Sequence, residues 1–295
     1  MMQKKVLKNI IHYNDCWFRN CFYQQLVAAY GAFGIPADYV VCNYTIDIDF
    51  SDDNETLDIR EHEILDEDEF SALTGICQKR VRFEDVCKQL CTAVRSGNPV
   101  ILGADSFYLP TRTQYYNQKH APHYLLVYEF DLKRKMFTVG ENDGIAIFHF
   151  TEKEVPFDVI EQTYHSFEER FASPDSAVQL EIAKKCPLYL RADALNKLKK
   201  DFCERNYIQY VSFYRMLLEK SWTVEELSSW LEFAIKYTNF FRILMKQCSY
   251  MFGEPKKLNV LADIWHDALS SLEILKDAIR LGQPELMNSE RNEKI

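Results

Sequence analysis

Between residues 99 and 150 the hydrophobic pattern of this chain changes period, and this change constrains the fold more than any other feature. PVILGADSF, HYLLVYEF, KMFTVGE and IAIFHF are short apolar or β-branched runs separated by turn residues, the pattern of strands. DLKRK, between the second run and the third, reads as a hairpin turn. The preceding segments carry a helical pattern instead. Residues 14–31, NDCWFRNCFYQQLVAAYG, read as one helix, with Asn14 or Asp15 able to cap its first turn and Gly31 placed to end it. FEDVCKQLCTAVRSG, residues 83–97, reads as a second helix that stops at Gly97. YVVCNYTIDIDF (39–50) is β-rich, and the acidic stretch that follows, residues 51–70, reads as a solvated loop. Helices first and antiparallel strands later make an α+β domain.

Beyond about residue 155 the strand signals fade, and SPDS at 173–176 marks a boundary. The spacing then predicts successive amphipathic helices over 192–206, 207–220, 223–253 and 257–282, with Thr223 and Glu226 as a capping box. The expected organisation is a first domain over 1–170 and an all-α helical bundle over 171–295. With 47% hydrophobic residues, 20 Phe and 17 Tyr, the chain has ample material for a core, which excludes disorder. A formal net charge of −9 argues against a general nucleic-acid binder, so an acidic partner needs a local basic patch. No apolar run reaches the ~18 residues of a spanning helix. The expectation is a cytoplasmic protein without a membrane partner. The nine cysteines form no CxxC pair, so reduced thiols are expected. Cys87 and Cys91 read as core beside Phe83, Val86, Leu90 and Val94, with no metal site around them.

Cysteine chemistry needs a thiolate, and the positive end of a helix lowers a thiol's pKa. With the helix starting near residue 14, Cys16 falls in its first turn, where unpaired N–H groups can also serve an oxyanion. Cys21 then lies deeper in the helix and gains less. His123 opens the strand HYLLVYEF, where a rigid backbone can aim a general base into a cleft. His120 competes from the preceding loop, but Pro122 leaves only His123 on the strand. A third member should orient the imidazole. Glu141 is the first polar residue off the next strand and the preferred candidate, with Asp143 and Asn142 as alternatives. Asp105, at the end of PVILGAD, is a further candidate that could hold a substrate amine or Tyr108.

The ordered set of Asp15-Cys16, Tyr30-Gly31, GNPVILGADSFYLP, HAPHYLLVYEFD and FTVGEND resembles the N-terminal domain of the butirosin biosynthesis protein H-like family, itself similar to papain-like peptidases. The resemblance covers about residues 10–155. It implies a papain-like fold, with Cys16 as nucleophile, His123 as base and Glu141 as the third member, where the family usually has Asp. The leader peptidases of this group carry a Gln shortly before the Cys. Ile10 stands near that spacing here, so Asn14 or backbone groups would hold the oxyanion. Asp105, Tyr108 and His120 would line the substrate site.

The function this resemblance implies is an acyltransferase. Cys16 would accept an acyl group from a carrier-protein thioester, and a small-molecule amine would take it as an amide in natural-product biosynthesis. No metal, nucleotide or other cofactor is required. The clusters Lys197, Lys199 and Lys200, or Lys79, Arg80 and Arg82, would dock the acidic carrier. A cysteine peptidase or thioesterase would use the same residues with water as acceptor. A third possibility is a papain-like shell that binds within a biosynthetic assembly and does no chemistry.

Overall fold

A computed structural model describes residues 3–14, 20–50, 57–143, 149–171, 173–183, 191–202, 204 and 255–280, with isolated positions between 223 and 242. The chain forms two compact units, one of residues 1–43 and 63–200, the other of residues 44–62 and 201–295. The expected division at residue 170 does not coincide with these units. A strand at Ala177–Ile182 pairs inside the sheet of the first unit, and residues 44–62 cluster with the second.

The first unit is built on a seven-stranded antiparallel sheet. Its strands are β1 (Lys4–Val6), β4 (Ile76–Arg80), β5 (Val100–Asp105), β6 (Pro122–Asp131), β7 (Met136–Asp143), β8 (His149–Pro156) and β9 (Ala177–Ile182), where β2 (Thr45–Phe50) and β3 (Leu57–His62) form a separate hairpin in the second unit. The order is β4-β9-β5-β6-β7-β8, with β1 added against β6. All six residues of β5 are buried, which explains why the first five are continuously apolar rather than alternating. The expected turn at DLKRK joins β6 to β7, with the Asp131 carboxylate accepting the N–H groups of Lys133 and Arg134.

Helix α1 (Cys21–Gly31) runs against β5, β6 and β7. It begins later than residue 14. Asn20 is its N-cap, and the Asn20 side-chain oxygen accepts the Tyr23 N–H at 3.0 Å. Asn20 is as good a capping residue as Asn14, and sequence periodicity alone could not choose between them. At the other end, a Cβ on Gly31 would lie 2.5 Å from the Asn9 carbonyl oxygen, so close backbone passage requires glycine there. Of the stretch 39–50 that reads as β-rich, Thr45–Phe50 is strand β2, whereas its first residues belong to helix α2 (Ala37–Cys42). The acidic segment is not one solvated loop either: its end forms α3 (Glu67–Thr74). Asp66 and Glu69 make a reciprocal capping box, which turns acidic residues into a helix start ahead of buried Phe70 and Leu73.

Helix α4 (Val86–Arg95) lies within the predicted 83–97, and Gly97 follows it with φ of 93°. Cys91 on α4 is buried and Cys87 half-buried, and burial pushes these thiols up to about 11 and about 12, as expected of unreactive core cysteines. Cys21, Cys77, Cys87 and Cys91 are free thiols, whereas Cys42 is disulfide-bonded, against the expectation that the cysteines are reduced. Helix α5 (Phe157–Phe171) packs on β5 at Gly103, where an added Cβ would meet the Phe167 ring at 2.4 Å. Residues 191–202 are helical, as the spacing predicts.

In the second unit, β2 and β3 pair in register from Thr45↔His62 to Phe50↔Leu57. Helix α6 (Pro255–Arg280) matches the helix expected over 257–282 and buries Ala262 and Leu269, two turns apart on one face. The helices expected over 207–220 and 223–253 fall mostly outside the described residues, as does Glu226. No helix among the described residues is long and apolar enough to cross a membrane.

Candidate active site

The later start of α1 moves the thiol at the helix head from residue 16 to residue 21. Cys21 is the first residue of α1, so its sulfur sits where the unpaired N–H groups and the positive end of the helix converge. Burial pushes the Cys21 thiol above its ordinary range. The Tyr124 backbone N–H beside the sulfur, the first N–H groups of α1 and the Arg112 charge act the other way without cancelling it. Cys16 lies outside the described residues.

The sheet opens at the point where α1 meets it. Pairing of β6 with β7 runs only from Leu126↔Gly140 to Asp131↔Met136. Past that point β6 continues to Pro122 paired with β5, and β7 continues to Asp143 paired with β8. Side chains bridge the opening in place of the ladder. Gln25 of α1 donates to the Asn142 side-chain oxygen at 2.5 Å, and the Arg112 guanidinium donates to the Asn142 backbone carbonyl at 2.6 Å. The Thr111 hydroxyl donates to the Glu141 carboxylate at 3.0 Å.

His123 stands in this opening, 3% exposed, with Nε2 buried and without a hydrogen-bond partner among the described residues. The nearest carboxylate oxygen is Oε2 of Glu141, 4.0 Å from that nitrogen. This is beyond hydrogen-bond length, so the two groups do not hydrogen-bond each other. Burial, helped by the Arg112 charge, pushes the His123 imidazole down to about 3. At neutral pH the His123 imidazole is therefore neutral and the Cys21 thiol keeps its proton.

A second His–carboxylate pair lies at the same end of β5 and β6. His120 Nδ1 is 2.6 Å from Oδ2 of Asp105. Burial alone would raise the Asp105 carboxyl, but hydrogen bonds from His120, Ser166 and the Phe107 N–H hold it below the usual carboxylate range. Asp105 is fully buried and therefore reaches a substrate only through His120, which is 33% exposed. Tyr108 does not bond Asp105; its ring meets the His120 ring edge-on with centroids 6.1 Å apart.

The structure thus brings together His123, Glu141 and Asn142 from the expected set, and His120, Asp105 and Tyr108 beside them. Asn142 spans the opening as a structural link, which leaves Glu141 as the carboxylate nearest the imidazole. The side chain of Asp143 falls outside the described residues. Asn14 accepts the Phe150 N–H at 2.8 Å, tying its carbonyl oxygen to β8 while its amide donors stay available. Both Gln24 and Gln25 are 0% exposed, and neither amide atom of Gln24 has a partner among the described residues. Sequence reading set Cys21 second to Cys16 and passed over Gln24, Gln25, Thr111 and Arg112. The signal for the glutamines was present: a Gln pair inside an otherwise apolar helix demands buried partners. For Arg112 there was none.

The basic clusters are partly neutralised. Arg80 pairs with Glu67 and Asp175, Arg82 with Glu168, and Lys197 with Glu69.

Fold and site together define a mixed α/β protein with an antiparallel sheet, a cysteine at the head of α1 beside the Tyr124 amide, and two histidines with nearby carboxylates at one end of β5 and β6. The chain belongs to the family described as the DUF1839 N-terminal domain, whose model matches residues 8–178. No curated protein matches the chain.

Proposed function

We propose that this protein is a cysteine-dependent acyltransferase with a papain-like catalytic unit, in which Cys21 is the nucleophile, His123 its base and Glu141 the group that orients the base. The observation that carries this reading is the convergence of the α1 head, the Tyr124 amide and the buried His123 at the opening between β6 and β7. Glu141 lies on the Nε2 side of His123, which leaves Nδ1 to take the thiol proton. Because both groups rest neutral, attack by sulfur and proton transfer to Nδ1 occur together, as with a hydroxyl nucleophile. The sulfur adds to a thioester carbonyl, the carrier thiol leaves with the proton, and an amine then displaces Cys21 to give an amide. Exchange between thioesters is nearly isoenergetic and amide formation is downhill, so the sequence needs no nucleotide. Gln24, Asn14 and the first N–H groups of α1 are the donors available to the oxyanion. The resemblance to the butirosin biosynthesis protein H-like family supports the carrier-bound acyl donor and the amine acceptor.

Intact-mass analysis after incubation with acyl thioesters of N-acetylcysteamine tests this reading. An acyl adduct is expected in the wild type and in Cys16→Ala, and lost in Cys21→Ala. An adduct lost only in Cys16→Ala returns the nucleophile to Cys16. The burial that keeps both thiol and imidazole neutral also suits a second reading, a papain-like shell that binds without chemistry. Absence of any adduct with iodoacetamide alkylation at the rate of an ordinary thiol selects that reading.

A further inference from the structure

The His120–Asp105 pair is more completely built than its neighbour, yet the acylation step gives it no task. Asp105 is held ionised by three donors, and an ionised carboxylate only accepts, so His120 Nδ1 must carry the proton it donates. In the neutral imidazole this fixes the tautomer, with the Nε2 lone pair on the far side of the ring from Asp105. The ring is clamped: it stacks on Phe107 with centroids 4.3 Å apart at 15°. The loop carrying it is closed by Asn117 N–H to the Phe107 carbonyl at 2.9 Å and Ser106 N–H to the Ala121 carbonyl at 2.9 Å. Thr163 of α5 further pins the Asp105 carbonyl at 2.7 Å. A pair that only stapled the loop would have no need of a one-third exposed imidazole with a fixed outward nitrogen.

Its position relates it to the same thiol. Three residues separate His120 from His123, at most about 11 Å of chain. Cys21 faces the Tyr124 amide, the Phe22 ring meets the Tyr124 ring at 5.1 Å, and Tyr124 meets Phe167 of α5 at 5.5 Å. That helix supplies Ser166, which donates to Asp105. Both His–carboxylate pairs therefore lie at the end of β5 and β6 where the head of α1 meets Tyr124, with His123 buried and His120 partly exposed.

We propose that His120, oriented by Asp105, is the general base for the acceptor amine, a catalytic role separate from that of His123 and resting on the acyl-transfer reading above. The amine nitrogen adds to the carbonyl of the Cys21 thioester while its proton passes to His120 Nε2. The C–N bond forms, the C–S bond breaks, and the His120 imidazolium returns the proton through solvent to the departing sulfur, restoring both groups. Among the described residues, Asp105 from β5 bonds His120 and the Tyr108 ring meets it, while Arg170 from α5 lies 3.8 Å from Asp105.

The test loads the full-length protein with an N-acetylcysteamine thioester, then releases the acyl group with glycinamide or with hydroxylamine, which is largely unprotonated at neutral pH and needs little help from a base. Per loaded protein, His120→Gln and Asp105→Asn should show aminolysis by glycinamide slowed about 100-fold, and release to hydroxylamine within about two-fold of wild type by the same reasoning. Unchanged aminolysis, or an equal loss with hydroxylamine, overturns the proposal while leaving cysteine catalysis intact. Should either variant fail to fold or to load, the wild-type pH profiles decide: aminolysis must show an ionisation that loading lacks, and identical profiles overturn it. A wild type that never loads removes the proposed function, and this inference falls with it.

Discussion

Replacing His123 with glutamine, which fills similar space but does not titrate, should change how stability responds to acid. Folding takes the His123 imidazole from an ordinary 6.5 to about 3. A group whose folded pKa is depressed contributes stability above its unfolded pKa, and that stability is lost as pH falls toward the folded value. Between pH 8 and pH 5 the unfolded chain gains a proton on this residue and the folded chain does not. One pKa unit corresponds to about 1.36 kcal/mol, so the wild type should lose about 2 kcal/mol from this group by pH 5, and about 5 kcal/mol in all below pH 3. His123→Gln lacks this loss. Urea unfolding of both proteins at pH 8, 7, 6 and 5 should therefore show the wild-type advantage shrinking by about 2 kcal/mol across the series. The comparison cancels every other titrating group the two proteins share. A gap that stays constant with pH would refute the buried, neutral imidazole and with it the resting state drawn for the proposed chemistry.

Arg112→Met removes the charge that depresses both Cys21 and His123, so the pH profile of iodoacetamide alkylation at Cys21 should move to higher pH; an unmoved profile would show that the guanidinium does not act on the thiol. Gly140→Ala places a Cβ 2.2 Å from the Phe150 ring beside Glu141, and this overpacking should cost about 1–3 kcal/mol in urea unfolding, most of it recovered by adding Phe150→Leu. If the double variant recovers nothing, the close packing of β7 against Phe150 is not the cause.

The parts of the fold that were legible are those written in local pattern. β5, β6 and β7, the turn at Asp131, helix α4 and helix α6 each follow from residues adjacent in sequence. The parts that were not legible depend on distant partners. β9 is six residues long and reads as unremarkable, yet it lies between β4 and β5, pairing with Val100–Leu102 from Ala177–Gln179. Nothing local marks such a pairing, because its energy comes from filling a gap in a sheet already formed. The acidic stretch misled for a different reason. Its charge suggested solvent, whereas Asp66 and Glu69 use theirs to cap α3.

The candidate site divides in the same way. His123 at a strand start and Glu141 at the end of the next strand were visible because strand order and turn length set them near each other. The start of the helix was not visible: Asn14 and Asn20 are equally good caps, and in the folded chain Asn20 takes the role and Cys21 opens α1. Sequence alone determined that a short antiparallel sheet follows a helix bearing cysteines, since hydrophobic period is a property of neighbouring residues. Tertiary structure alone decided where the pairing of β6 with β7 ends and which groups bridge it, because those depend on residues brought together across more than a hundred residues of chain.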